Sequence, residues 1–83
     1  MPILVDNVKV RYTDLEKRFP DWISIRLYLP FPYDLVIVQT ACKREILAWF
    51  NGDSWDGYKL KKSYVILRWK RSFREDRYVR QTK

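Results

Sequence analysis

Residues 35–54 read LVIVQTACKREILAWFNGDS, and this stretch decides the fold class. The apolar, β-branched run at 35–38 is typical of a central strand that is covered on both faces. The run at 46–50 fits either a returning strand or one face of a helix at about 41–51, which would give an α+β fold. That helix would place two cations at the positive end of its dipole, which is unfavourable. A strand is therefore favoured, with residues 41–44 as a hairpin loop.

Alternating apolar and polar residues predict two further strands outside this hairpin. Residues 22–29 have period two, with every isoleucine and leucine of the stretch on one face. Residues 63–69 repeat the pattern and place Val65, Leu67 and Trp69 on one face. Both segments are predicted to extend the sheet.

Turns and short helices are predicted around these strands. Residues 51–54 favour a tight turn, because Asn and Gly tolerate positive φ, and a β element near Trp55 follows. Residues 8–12 predict a half-buried strand, and a capping box at 13–16 predicts a short helix over about 14–18. The predicted fold is mainly β, an antiparallel β meander with one or two short helices.

The chain, residues 1–83, is predicted to be a single domain, because its length leaves no room for a second core. Its C-terminal segment, 72–83, is basic and expected to be loose, although residues 72–75 could cap a second short helix. No segment approaches the roughly 20 apolar residues of a membrane span, which predicts no membrane partner. With a lone cysteine and no signal sequence, the expected location is cytoplasmic, in the host cell if the protein is viral.

Charge is unevenly distributed along the chain. The formal net charge is +7, and residues 57–83 hold ten Lys or Arg and two acids. The balance is therefore +8 in that segment and −1 in residues 1–56. Such asymmetry indicates an acidic partner, most often nucleic acid and sometimes an acidic protein surface; a solubilising tail is an equal alternative.

Cations and aromatic residues are interleaved in this basic segment. Cations bind phosphates and release condensed counterions, and exposed aromatic rings stack on bases. The competing interpretation is that the aromatic residues, including all four tryptophans, build the core of a small domain. The candidate residues for binding nucleic acid or another partner are Tyr58, Lys59, Lys61, Lys62, Tyr64, Arg68, Lys70, Arg71, Arg74 and Arg77.

The sequence lacks the groups on which most catalytic sites depend. It contains no histidine, so Cys42 has no imidazole partner and the usual zinc sets cannot be assembled. Asp53 and Asp56 could form a carboxylate pair, but aspartate at a turn is favoured for its backbone hydrogen bonds. We therefore predict no catalytic residue, no metal and no cofactor, and we expect that the chain is not an enzyme.

Short motifs in a fixed order carry a family resemblance. They are Trp22-Ile23-Ser24, Leu29-Pro30, Asp34-Leu35-Val36-Ile37-Val38, Phe50-Asn51-Gly52, Trp55, and the strand at 65–69. In this order they resemble the domain of unknown function 551 family over about residues 22–69. The resemblance implies a compact β meander and a phage or prophage origin, and it carries no activity or site residues. Arg68 stands where the family usually has His, and Lys70-Arg71-Ser72 replaces its Met-Pro-Leu-Pro, so the basic end resembles a local addition.

The sequence leaves two functions open. The first is a small, non-catalytic accessory protein of phage or prophage type that binds nucleic acid through residues 59–80. The alternative is a protein-binding inhibitor or modulator of a host or defence enzyme, similar to an anti-CRISPR protein. A homodimer through an open edge strand is compatible with either function.

Overall fold

The structure, a computed structural model, describes residues 10–81. Its elements are α1 (Tyr12–Arg18), β1 (Ile23–Ser24), β2 (Tyr28–Leu29), β3 (Val36–Thr40), β4 (Glu45–Phe50), β5 (Trp55–Asp56), β6 (Ile66–Arg71) and β7 (Arg80–Gln81). Five strands form an antiparallel sheet in the order β1-β6-β3-β4-β5, and β2 pairs with β7 in a small second sheet. The prediction of a mainly β, antiparallel fold with one short helix is confirmed.

The β3–β4 hairpin is the centre of the sheet, as predicted. Val36 pairs with Ala48 and Gln39 pairs with Glu45, so the strand at 46–50 does return along 35–39. Thr40 closes the loop, because its backbone N–H donates to the Arg44 carbonyl at 2.9 Å. The alternative helix at about 41–51 is therefore wrong. The prediction that both faces of β3 are covered holds only in part, because its side chains alternate between buried and half-buried.

The strand order contains a Greek key. Strands β3, β4 and β5 follow one another as a meander, and the chain then returns through residues 57–65 so that β6 pairs with β3. The resulting order β6-β3-β4-β5 is that of four Greek-key strands. The predicted turn between β4 and β5 is confirmed, since Asn51 Oδ1 accepts backbone N–H groups of Asp53 and Ser54, both at 2.8 Å, and Gly52 has a φ of 99°.

The single strand predicted over 22–29 is wrong, because a turn divides it. The Ser24 side-chain oxygen accepts the Arg26 N–H at 3.2 Å, and the Ser24 carbonyl accepts the Leu27 N–H at 3.0 Å. β1 therefore pairs with β6, while β2 joins the other sheet. Leu27, predicted to lie on the same face as Ile23, is 46% exposed, whereas Ile23 is buried.

A β-bulge changes which residues of β6 face the core. Gln39 pairs with Arg68, but the next residue, Thr40, pairs with Ile66, so Leu67 is the extra residue. Ile66 and Trp69 are consequently both buried, whereas Leu67 is 42% exposed. The predicted alternation over 63–69 is therefore wrong on the N-terminal side of the bulge.

The N-terminus of α1 is capped by a distant residue. Its N-cap position, Arg11, makes no side-chain capping bond, and Thr13 lies inside the helix. The Thr13 backbone N–H and hydroxyl instead donate to the Asp76 carboxylate, at 3.2 and 3.1 Å. The helix predicted over about 14–18 is confirmed, since α1 spans Tyr12–Arg18, but the predicted capping box is wrong.

The segments at both ends of the described chain meet beside α1. Residues 8 and 9 of the strand predicted over 8–12 lie outside the described residues. Over 10–12 the prediction is wrong, because Arg11 forms only an isolated bridge with Tyr78 and Tyr12 begins α1. The second helix predicted from 72–75 is wrong, because residues 72–77 are irregular. Phe73 and Val79 nevertheless pack against the core cluster, whose largest member is Trp69.

Candidate nucleic-acid interface

The ten predicted site residues fall into distinct locations. The connection between β5 and β6 carries Tyr58, Lys59, Lys61, Lys62 and Tyr64; β6 carries Arg68, Lys70 and Arg71; the irregular segment after β6 carries Arg74 and Arg77. The first group lies together in one short segment. Arg71 and Arg77 are instead engaged in ion pairs within the fold.

Arg71 holds α1 against the sheet. Its guanidinium makes a bidentate contact with the Glu16 carboxylate, with nitrogen–oxygen distances of 2.8 and 3.1 Å. Only 13% of the Arg71 side chain is exposed, and Asp76 lies 3.7 Å away. Its charge is thus neutralised within the fold, and Arg71 is poorly placed to bind a phosphate.

Arg77 is engaged in the same way, at a buried carboxylate. Its guanidinium lies 3.1 Å from Asp34 and 3.0 Å from Glu75. Asp34 is 8% exposed and also accepts the Tyr12 hydroxyl at 2.8 Å. Burial, reinforced by this hydrogen bond, raises the pKa of Tyr12 above its ordinary value. Arg77 therefore belongs to a structural network.

The connection at 57–65 is anchored so that its cations face outward. Gly57 lies against β4, where an added Cβ would be 2.9 Å from the Leu47 carbonyl oxygen, so a side chain is excluded there. Leu60 is half-buried against the core, and its N–H donates to the Gly57 carbonyl at 3.3 Å. The three lysines at 59, 61 and 62 are exposed on either side of this anchor.

Two open grooves lie beside this connection. The Tyr58 groove, about 650 Å³, is lined by Arg44, Glu45, Ile46, Tyr58, Lys59, Leu60, Lys61 and Tyr64. The Trp55 groove, about 630 Å³, is lined by Ile25, Ser54, Trp55, Asp56, Leu60, Lys61, Lys62, Tyr64 and Ile66. They share Leu60, Lys61 and Tyr64, so they are neighbouring grooves, and together they are termed the track below.

The track combines uncompensated positive charge with aromatic surface. Four cations line it against two acids, and among the described residues none of these four takes part in an ion pair. Arg44 lies over the Tyr64 ring, 5.8 Å from its centroid, and Tyr58 is 90% exposed while its ring contacts Trp49. Such a surface can pair with phosphates and stack on planar groups.

Arg44 and Trp55 are members of the track that sequence reasoning missed. Arg44 belongs to the β3–β4 loop, 20 residues before Tyr64, and only the folding of the connection over β4 brings them together. The Lys43-Arg44 pair at the hairpin tip was the available signal, because paired cations in a short loop are exposed.

The remaining predicted cations lie elsewhere. Arg68 and Lys70 project from β6 on the sheet face opposite the core, and the Lys70 ammonium is 4.7 Å from the Trp22 ring centroid. Arg68 lines a separate groove of about 520 Å³ with Trp22 and Arg26. Arg74 is exposed and lines none of these grooves.

Cys42, at the hairpin tip beside Arg44, is expected to be a reactive thiol. A hydrogen bond with the Thr40 hydroxyl at 3.1 Å lowers the pKa of this exposed thiol, and Arg44 contributes further. A lowered pKa keeps the nucleophilic thiolate present at lower pH, so alkylation by iodoacetamide should begin at lower pH in the folded protein than in urea. Thr40→Val should move the midpoint of the pH–rate profile upward; equal midpoints in folded and unfolded protein would contradict the assignment.

Comparisons with protein-family models, with curated proteins and with solved structures give no match. Within residues 10–81, no helix is long and apolar enough to cross a membrane. The same residues contain no group of three or more Cys, Asp or Glu side chains placed to hold a metal ion. The structure thus describes a small, mainly β domain with a basic, aromatic-lined track. The resemblance to the domain of unknown function 551 family stays a prediction.

Proposed function

We propose that this chain is a non-catalytic nucleic-acid-binding protein that uses the track formed by the Tyr58 and Trp55 grooves. The observation that carries the proposal is that the two grooves share Lys61 and Tyr64 and are also lined by Arg44, Lys59 and Lys62. Its small size and the motif resemblance fit an accessory protein of phage or prophage type.

The proposed mechanism is electrostatic capture with stacking. Lysines and Arg44 neutralise successive phosphates, and the released counterions make affinity fall steeply with salt. Exposed rings such as Tyr58 stack on bases, at roughly 1–3 kcal/mol per base. Stacking requires unpaired bases, so single strands should bind more tightly than duplexes. The proposed contacts are to phosphates and to the faces of bases, which carry little sequence information, so sequence preference should be weak.

Neutralising two lysines of the track should weaken binding and flatten its salt dependence. For Lys61→Gln/Lys62→Gln, loss of two phosphate contacts should reduce the slope of log affinity against log salt by about 1.4 for a single strand. The measurement is fluorescence anisotropy of nuclease-treated protein with labelled single- and double-stranded DNA and RNA, from about 50 to 200 mM salt.

The matched control removes the same charge away from the track. Lys17 and Arg74 are exposed and line neither groove, so Lys17→Gln/Arg74→Gln should leave the slope nearly unchanged. Equal effects of the two variants would show that the affinity depends on the net charge of the protein and not on the track. No binding even at low salt would overturn the proposal and direct attention to an acidic protein surface, as in an inhibitor of a host or defence enzyme.

A further inference from the structure

A third groove lies beside the track, where β1 pairs with β6. This groove, termed the Trp22 groove below, has a volume of about 520 Å³, and Trp22, Arg26 and Arg68 are among the residues that line it. It shares Ile25 and Ile66 with the Trp55 groove and no residue with the Tyr58 groove. The Trp55 groove therefore adjoins both of the others.

The Trp22 groove carries positive charge that no carboxylate in its lining offsets. Arg26 and Arg68 are both exposed, and neither takes part in an ion pair among the described residues. Glu45 lines the Tyr58 groove and Asp56 lines the Trp55 groove, whereas no Asp or Glu lines the Trp22 groove. A phosphate in the Trp22 groove thus meets two guanidinium groups, which suit phosphate oxygens, and no lining acid competes for them.

The same groove presents apolar and aromatic surface beside its cations. The β-bulge in β6 makes Leu67 the extra residue, and Leu67 and Val65 line the groove at 42% and 59% exposure. Trp22 is half-exposed, and the Lys70 ammonium lies 4.7 Å from its ring centroid. Exposed rings next to cations can hold unpaired bases together with their phosphates, and bulges are over-represented beside functional sites.

We propose that the Trp22 groove is a second subsite for the strand held in the track, so that one single-stranded nucleic acid occupies all three grooves. The inference rests on the proposed function, because it takes a strand in the track as given. Arg26 and Arg68 pair with phosphates at the end of the strand remote from Tyr58, and Trp22 stacks on a base there. Short strands bind in the track, because four cations line it.

Binding as a function of strand length tests the proposal. The probes are labelled oligothymidylates of about 4 to 16 nucleotides, the range of site sizes of small single-strand-binding domains, and the measurement is fluorescence anisotropy. For Arg26→Gln/Arg68→Gln, the slope of log affinity against log salt should fall by about 1.4 with the longest strands, because two phosphate contacts are lost. The shortest strands should bind this variant as they bind the unchanged protein.

Two other variants serve as comparisons in the same length series. Lys61→Gln/Lys62→Gln should weaken the binding of strands of every length, because these lysines line the track. Lys17→Gln/Arg74→Gln removes the same charge from exposed positions that line none of the three grooves, so it should leave the slope nearly unchanged at every length. Circular dichroism checks that each variant is folded.

Tryptophan fluorescence tests the aromatic part of the subsite. Long strands should quench the fluorescence more than short strands do, because they reach Trp22 in addition to Trp55. In Trp22→Phe this additional quenching should disappear, while the quenching by short strands should be unchanged. Additional quenching that survives in Trp22→Phe would contradict the stacking of a base on Trp22.

The outcomes separate this inference from the proposed function. If Arg26→Gln/Arg68→Gln binds long strands with the original slope while Lys61→Gln/Lys62→Gln is weakened, the second subsite is wrong and the proposed function stands. An equal loss for short and long strands, or an equal loss in the Lys17→Gln/Arg74→Gln control, would also overturn the subsite. If the unchanged protein binds no strand of any length at low salt, the proposed function fails and this inference fails with it.

Discussion

Replacing Trp69 with alanine is expected to lower the free energy of unfolding by about 3–5 kcal/mol. Trp69 pairs with Ile23 on β1 and with Val38 on β3. Its side chain is fully buried and meets the Tyr12 ring edge-on, with 5.7 Å between the ring centroids. Its indole N–H donates to the Tyr28 carbonyl at 2.9 Å, so the change also orphans a backbone acceptor. A domain of this length has roughly 4–12 kcal/mol of stability in all, and the variant should be marginal at room temperature.

Urea denaturation followed by circular dichroism measures this loss, and another tryptophan supplies the control. Trp22 is half-exposed, with the Lys70 ammonium over its ring. Trp22→Ala should therefore cost only about 1 kcal/mol. Losses of equal size in the two variants would contradict the assignment of Trp69 as the centre of the core.

Local signals in the sequence were sufficient for the β3–β4 hairpin and the turn after it. β-Branched residues at 36–38 favour a strand through their own backbone preferences, and Asn51 and Gly52 fix a turn through atoms within three residues of each other. Nothing distant in the chain is needed to form either feature, so pattern and composition predicted them correctly.

Features that depend on distant partners escaped prediction. The bulge at Leu67 arises from pairing with β3, and it shifts the burial pattern of β6 by one residue. The cap of α1 comes from Asp76, which is 63 residues beyond Thr13. A capping box is a local pattern, and a better-placed carboxylate elsewhere in the chain replaced it.

The same limit applies to the candidate site. Counting charges identified the basic segment, but a count cannot tell which cations are neutralised after folding. Arg71 meets Glu16 across 55 residues of the chain, and Arg77 meets Asp34 across 43. These two arginines therefore resemble ligand-binding groups in the sequence and act as structural groups in the molecule. Arg44, which the sequence analysis did not select, lines a groove and takes part in no ion pair among the described residues.

Replacing Asp34 with alanine is expected to destabilise the protein by about 2–4 kcal/mol, a range lowered because Arg77 is partly exposed. The buried carboxylate accepts a hydrogen bond from the Tyr12 hydroxyl and pairs with the Arg77 guanidinium. In the variant Tyr12 loses its acceptor, and Arg77 keeps only Glu75. The Tyr12 oxygen still accepts the Phe31 N–H at 2.6 Å, but its O–H no longer has a group to which it can donate. Urea denaturation at neutral pH gives the change directly.

A double-mutant cycle shows whether the loss comes from this network. Tyr12→Phe removes the hydroxyl that Asp34 accepts, so the combined variant should be more stable than the sum of the single losses predicts, by about 1 kcal/mol. Asp21→Ala, at an exposed aspartate, should change stability by no more than about 0.5 kcal/mol. Strict additivity would show that the two groups act independently. Arg77→Gln extends the test to function, because a structural arginine should lower stability while leaving the salt slope of nucleic-acid binding unchanged.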